Sequence, residues 1–241
     1  MAVSTHRFAW SADDSSQRIE RAEKQMRGKT LQARATLRIE SGGPARELAF
    51  RAWTQGNDRA VVKILNPPKD RDTGNLRLEM NLWQYLPNIE RIVKIPSSLM
   101  LQSWMGSDFS NDDLVKTSSL ARDYKHSTVG KEKLGDHAAV KILCEPRPDA
   151  PVVWGKVHVW LRASDSVPLK QEFYSETGEL LKVLETLEIK TYGDHTVPNQ
   201  LSMTTVKKKS KTTLVYQEMV FDQAISPSVF TQEFLRKPAP K

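Results

Sequence analysis

A single cysteine, Cys144, stands in 241 residues, so no intrachain disulfide can form. It closes the strand-like run Ala138–Cys144, where a lone thiol is a small buried hydrophobe, and the redox compartment stays open. No cysteine lies near the amino end to take a lipid anchor. No stretch approaches the ~18 apolar residues of a membrane-spanning helix, so stable membrane insertion is not expected. The five histidines (His6, His126, His137, His158, His195) never fall at metal-ligand spacing. There is no G-x-S-x-G and no glycine-rich phosphate loop; Gly42-Gly43 and the isolated Gly56, Gly74 and Gly106 read as turn residues. The acid pairs Asp13-Asp14 and Asp112-Asp113 sit where helices begin, as caps do. The expectation is a protein that is not an enzyme and uses no metal or cofactor.

The formal charge is +7, with a sequence pI near 9.4. Its one dense run, Lys207-Lys208-Lys209 with Lys211, falls between two strand-like segments, at the tip of an expected hairpin. No aromatic residue is interleaved to stack on bases, which argues against nucleic acid. Residues 1–13 lack an apolar core of signal-peptide length, which leaves either a cytoplasmic chain or a mature, processed one.

Apolar residues are abundant, and their spacing changes along the chain. Ile19, Ala22 and Met26 lie at helical spacing over 15–27, and Gly28 ends that helix. The period then becomes two. Leu31 to Ile39, Leu48 to Ala52, Ala60 to Ile64 and Leu76 to Leu82 alternate apolar with polar, with turn signals between them. A shorter strand over 88–94 follows, then a helix-like piece from 111 to about 124. Further strands are read at 137–145, 156–163, 168–175, 180–190, 200–207 and 212–221. About eleven strands with no linker describe a mainly β chain: a single, strongly curved antiparallel sheet forming a half-open barrel, helices on its concave side. A closed barrel is the near alternative.

Such a sheet is too wide for one or two short helices to fill solidly. Leu37, Phe50, Val62, Leu78 and Met80 are expected to share one face of the sheet, as the wall of an apolar cavity. Trp104, Met105 and Phe109 are expected near the rim, as a cover adaptable enough for acyl chains. Asn111 or Asp112 is expected to cap the helix that follows.

Several stretches resemble the outer-membrane lipoprotein-sorting (LolA-like) family of Gram-negative bacteria. They are Val62 to Arg71, Gly74 to Arg77, Trp83 to Pro87 with Arg91 and Ile95-Pro96, and above all Ser103-Trp104-Met105-Gly106-Ser107-Asp108-Phe109-Ser110-Asn111-Asp112-Asp113-Leu114. The match is strong over about 50–125 and plausible from 15 to 235. The resemblance implies a half-closed barrel with a helical lid, the face of Leu37, Phe50, Val62, Leu78 and Met80 being its concave side, and a periplasmic chaperone whose signal peptide is absent from this sequence. It also implies a monomer that carries lipoprotein acyl chains or a related lipid toward the outer membrane, between an inner-membrane transporter and an outer-membrane acceptor. The rival reading is an interaction module of an envelope lipid transporter that carries nothing itself. The expected organisation is a flexible arm (1–14), one lipid-binding domain (15–235) and a disordered tail (236–241).

Overall fold

A computed structural model describes residues 12–115, 119–150 and 152–240. Residues 1–11 of the expected arm lie outside the described residues, whereas 12–14 already belong to the first helix, α1 (Ala12–Arg27). The strands are β1 (Thr30–Glu40), β2 (Arg46–Gln55), β3 (Arg59–Asn66), β4 (Gly74–Leu78), β5 (Asn81–Leu86) and β6 (Arg91–Ile95), then β7 (Tyr124–Leu134), β8 (His137–Pro146), β9 (Lys156–Arg162), β10 (Pro168–Tyr174), β11 (Leu180–Tyr192), β12 (His195–Thr205) and β13 (Ser210–Phe221). Three short helices complete the list: α2 (Asn111–Val115), α3 (Leu120–Asp123) and α4 (Gln232–Arg236).

All thirteen strands form one antiparallel sheet in the order β6-β5-β4-β3-β2-β1-β13-β12-β11-β10-β9-β8-β7. Every neighbouring pair is consecutive in sequence except β1 and β13, which join two meanders side by side. Among the described residues the edges β6 and β7 pair with nothing further, so the curved sheet is an open half barrel.

Two strands exceed the expected eleven. The run Leu76–Leu82 is not one strand but the hairpin β4–β5, broken at Glu79, whose φ is +53°. The helix-like piece ending near Tyr124 is two short helices, and an unforeseen strand, β7, starts at Tyr124 itself.

The β3–β4 register reverses the expected face of Leu76 and Leu78. On the concave side Phe50 opposes Ile64 and Ala52 opposes Val62, as alternation requires. The next register places Asn75 opposite Val62 and Arg77 opposite Ala60. Residues directly opposite share a face, so Leu76 and Leu78 point to the convex side. Leu78 packs there with Trp83 around Val61 and Leu76. Met80 sits at the hairpin tip, 60% exposed, and is no part of a cavity wall.

The convex side of β2–β5 is covered by the carboxyl-terminal segment. Phe230 and Leu235 are buried against Trp53, Val61 and Leu76. Both faces of β3 are therefore occupied, and Lys63 is fully buried despite its expected outward position. Its ammonium donates to the carbonyls of Phe234 (3.4 Å), Leu235 (3.1 Å) and Lys237, the carboxyl end of α4, where a cation meets the negative end of the helix dipole. Burial lowers the Lys63 pKa to about 8, while Asp72 pulls it back up. Residues 236–240, expected to be disordered, are held in place: Ala239 is buried and its N–H donates to Asp72 at 2.5 Å.

Candidate functional site

α1 crosses the concave face with Ile19 and Ala22 buried against it. Its polar contacts are peripheral. Ser16 meets His126 Nδ1 (2.9 Å), Arg18 donates to the Ala163 carbonyl (3.1 Å), and the Gln25 carbonyl meets His195 Nδ1 (2.8 Å). Gly28 ends the helix at φ +58°; a Cβ there would lie 2.6 Å from Asp222 Oδ1.

One helix cannot fill the curve. Between α1 and the sheet lies a cavity of about 280 Å³, just below the ~300–1,000 Å³ typical of small-molecule pockets. Its wall is drawn from both meanders, with Ala52 and Val62 on one side, Leu161, Leu184 and Met203 on the other, and Met26 above.

Of the eight residues expected at the site, Leu37, Phe50, Val62, Trp104 and Phe109 line this cavity. Leu78 and Met80 do not, for the register reason above. Met105 is half-buried and packs beside the cavity without lining it. Trp104 and Phe109 are not at the rim. The exposed members of the lining are Gly56 and Asn57 in the β2–β3 turn and Arg59 where β3 begins, so the cavity opens there and Trp104 stands toward the other end of the strands.

That other end is closed by residues 103–113, which are pinned on both sides. Trp104 is 2% exposed; its indole meets Phe50 edge-on at 5.7 Å and donates to Asn75 Oδ1 at 3.1 Å. The Arg46 guanidinium donates to the Met105 carbonyl. Asp108 is buried and accepts from Thr212 (2.8 Å) and from Ser210, while its N–H donates to Thr212 Oγ1 at 2.9 Å. Lys182 donates to the Asp108 carbonyl at 2.6 Å. The cap of α2 is Ser110, not Asn111 or Asp112. Ser110 Oγ accepts from the Asp113 N–H (3.2 Å), and Asp113 Oδ2 accepts from the Ser110 N–H (2.8 Å), a reciprocal capping box. Asn111 instead ties its side chain to the Leu99 carbonyl at 3.0 Å.

The mouth is polar. Glu23 of α1 accepts from Ser119 Oγ (2.7 Å) and the Ala121 N–H (3.2 Å), holding α3 beside the opening. Arg27 donates to Asn57 Oδ1 at 2.6 Å; Arg59, opposite Gln55 and Leu78, donates instead to Gln55 Oε1 at 3.2 Å on the convex side. Arg77 is buried on the cavity face, donates to the Glu79 carbonyl at 2.7 Å, and has its pKa lowered by burial and by Arg27, while Asp58 and Asp112 act to raise it. Arg77 escaped the sequence reading because an arginine between two leucines looks like the solvent side of a strand. Only the register of β3 against β4 reveals it.

The cavity carries little chemistry of its own. Cys144 is buried in the core behind it and its thiol is pushed up to about 12 by burial, far from a thiolate. Burial also raises the phenols of Tyr124 and Tyr216, the latter to about 12. Among the described residues no group of three or more His, Cys, Asp or Glu could hold a metal ion, and no helix is long and apolar enough to cross a membrane.

Comparison with known proteins gives a consistent fold. A DUF1329 family protein from Desulfovibrio piger superposes with a TM-score of 0.86 at 18% identity, covering 93% of this chain and 98% of its own. A putative outer membrane lipoprotein-sorting protein domain from Vibrio parahaemolyticus gives 0.84 at 21% identity, over 94% of this chain and 100% of its own. A LolA superfamily protein from Nitrosomonas europaea gives 0.77 at 20% identity, over 94% and 100%. No curated protein matches the chain. A family model described as "uncharacterized protein" matches residues 56–237, well over half of the chain. The chain belongs to that family, and its fold is that of the LolA superfamily and of outer membrane lipoprotein-sorting domains.

Proposed function

We propose that this protein is a non-catalytic periplasmic carrier, a single lipid-binding unit. It would take an acyl chain of a lipoprotein or related lipid into the cavity beneath α1 and move it toward the outer membrane. The observation that carries this reading is the cavity itself. It is walled mainly by aliphatic and aromatic side chains, closed at one end by a pinned segment and open at the other. Apolar volume of this kind is unfavourable to leave wet and has few polar groups with which to order water. Its walls suit a flexible hydrocarbon, and no activated nucleophile points into it.

The carrier shape also accounts for how the two ends differ. The 103–113 segment is fixed through Asp108, Trp104 and Arg46, whereas α1 is held by the buried Ser15, Ile19 and Ala22, by Glu23 on α3 and by hydrogen bonds at its edges. In this reading α1 yields as the chain enters, and the 103–113 segment stays in place. Ligands of the transported class would be handed over by an inner-membrane transporter and received by an outer-membrane acceptor.

Native mass spectrometry of the protein purified from a bacterial envelope, followed by lipid extraction, tests this. The expected result is one acyl-bearing lipid per chain. A chain that emerges empty and takes up no long-chain lipid when offered one would leave an interaction module as the better reading.

A further inference from the structure

Two polar side chains interrupt the apolar wall of the cavity with nothing to bond. Tyr216 of β13 and Gln171 of β10 line it, and among the described residues neither makes a hydrogen bond. Tyr216 lies directly opposite Ala35, which lies opposite Phe50, so it stands on the floor midway along β1. It packs against one apolar cluster that holds Ala35 and Leu214 and another that holds Ala33 and Met219. Resting on the carrier reading above, we infer that the ligand bears a neutral oxygen acceptor within the cavity, an ester carbonyl or a chain hydroxyl, to which Tyr216 donates.

A wall that had only to be greasy would be served by phenylalanine. The hydroxyl is costly where it stands, because a polar group taken from water without a partner loses its hydrogen bonds. Water relieves such a group only where several polar partners hold it, and both clusters around Tyr216 are hydrophobic. Burial alone raises this phenol to about 12, so it stays protonated, and a donor, across the neutral range. A neutral acceptor fits better than an anion, since Glu23, Asp112 and Asp113 share the lining. Glu23 holds α3, Asp113 closes the cap of α2, and Arg77 donates to the Glu79 carbonyl. The Tyr124 hydroxyl is enclosed by protein, out of a ligand's reach. Gln171 is the competing anchor. Its register runs through Leu184 and Met203 to Thr212, which holds Asp108. Gln171 therefore stands level with the pinned end, where the tip of a chain would arrive.

Two pairs of probes test this, each pair differing by one oxygen: stearate against mid-chain hydroxystearate, and octadecylglycerol ether against monostearoylglycerol. The full chain and its variants Tyr216→Phe and Gln171→Leu are titrated below micelle concentrations. Binding is read by intrinsic tryptophan fluorescence and calorimetry. In the natural chain the oxygen-bearing member of one pair is expected to bind about fivefold tighter than its partner, the worth of one neutral hydrogen bond. A preference within the first pair assigns a chain hydroxyl, and within the second an ester. Tyr216→Phe should abolish the preference, bind the plain member as tightly or tighter, and keep or raise Tm. Gln171→Leu should retain the preference. A preference within neither pair, one that survives Tyr216→Phe, or one that Gln171→Leu also removes overturns the role of Tyr216 and leaves the carrier standing. If none of the four probes binds, the carrier reading fails and this inference fails with it.

Discussion

The two faces of β3 look onto very different surroundings. On the convex side the carboxyl-terminal segment packs solidly: Phe230 and Leu235 fill the space over Trp53, Val61 and Leu76, and Lys63 holds the end of α4 through three carbonyls. On the concave side α1 lies over a wider, inward-curving surface, buries Ile19 and Ala22, and leaves a cavity of about 280 Å³ beneath it. The same strand thus contributes Val61 to a close-packed core and Val62 to a cavity wall. Hydrophobicity alone does not distinguish them. Curvature does, because a helix laid inside a half barrel touches its rims before it reaches its floor.

If that contrast is right, truncation on the convex side should act on stability and leave the ligand alone. Leu235→Ala, at a fully buried position, should cost about 2–5 kcal/mol in urea unfolding. Lipid binding at low denaturant should be unchanged. Leu78→Glu belongs to the same class, since Leu78 packs on the convex side. It should lower the melting temperature, and the folded fraction should still bind lipid.

The pinned end of the cavity should respond next. Asp108→Ala removes the acceptor for Ser210 and Thr212 and should cost about 1–3 kcal/mol. Hydrogen exchange would show whether the loss is confined to residues 103–113 and the start of β13, as expected, or spreads through the sheet.

A smaller effect comes from Lys63. Its folded pKa, about 8, lies below the ordinary 10.5, so between those values the unfolded chain binds more protons and stability rises with pH. From pH 7 to pH 9 the contribution is about 1 kcal/mol. Comparing the pH slope of unfolding in the natural chain and in Lys63→Met isolates it from the background titration of the other groups. Identical slopes would mean that Lys63 titrates normally.

The smallest change in stability, and the sharpest in binding, is expected for Ala52→Phe. Ala52 faces the cavity, so added carbons enter empty space and the unfolding free energy should move by less than the ~1 kcal/mol at which overpacking of a filled core begins. Acyl-chain affinity should fall by tenfold or more, measured by displacement of a fluorescent fatty acid. Unchanged affinity would place the ligand elsewhere.

Much of this contrast was legible in the sequence, and the rest failed for identifiable reasons. Period-two runs at 31–39, 48–52 and 60–64 place Leu37, Phe50 and Val62 on one face, and the register confirms that shared face. The run 76–82 keeps the same period across Glu79, yet a left-handed residue there turns the chain back and makes a continuous stripe into two strands. Alternation is blind to a tight turn built without glycine. It is equally blind to what covers each face, so Lys63 looked solvent-facing because α4, which buries it, lies about 170 residues away in sequence. The segment 103–113 stands out in the sequence for its tryptophan and its acids, but its role depends on Thr212, Ser210 and Lys182, partners no local pattern names.

The claim that one face is a core and the other a lipid cavity can be tested with tryptophan. Trp154 lines the cavity, and Trp53 packs under the carboxyl-terminal segment on the opposite face. Variants that retain only one of these tryptophans, the others replaced by phenylalanine, are titrated with a fatty acid brominated along its chain, which quenches indole fluorescence on contact. Saturable quenching of Trp154 with Trp53 unaffected is the predicted result. Quenching of Trp53, or of neither, would contradict it.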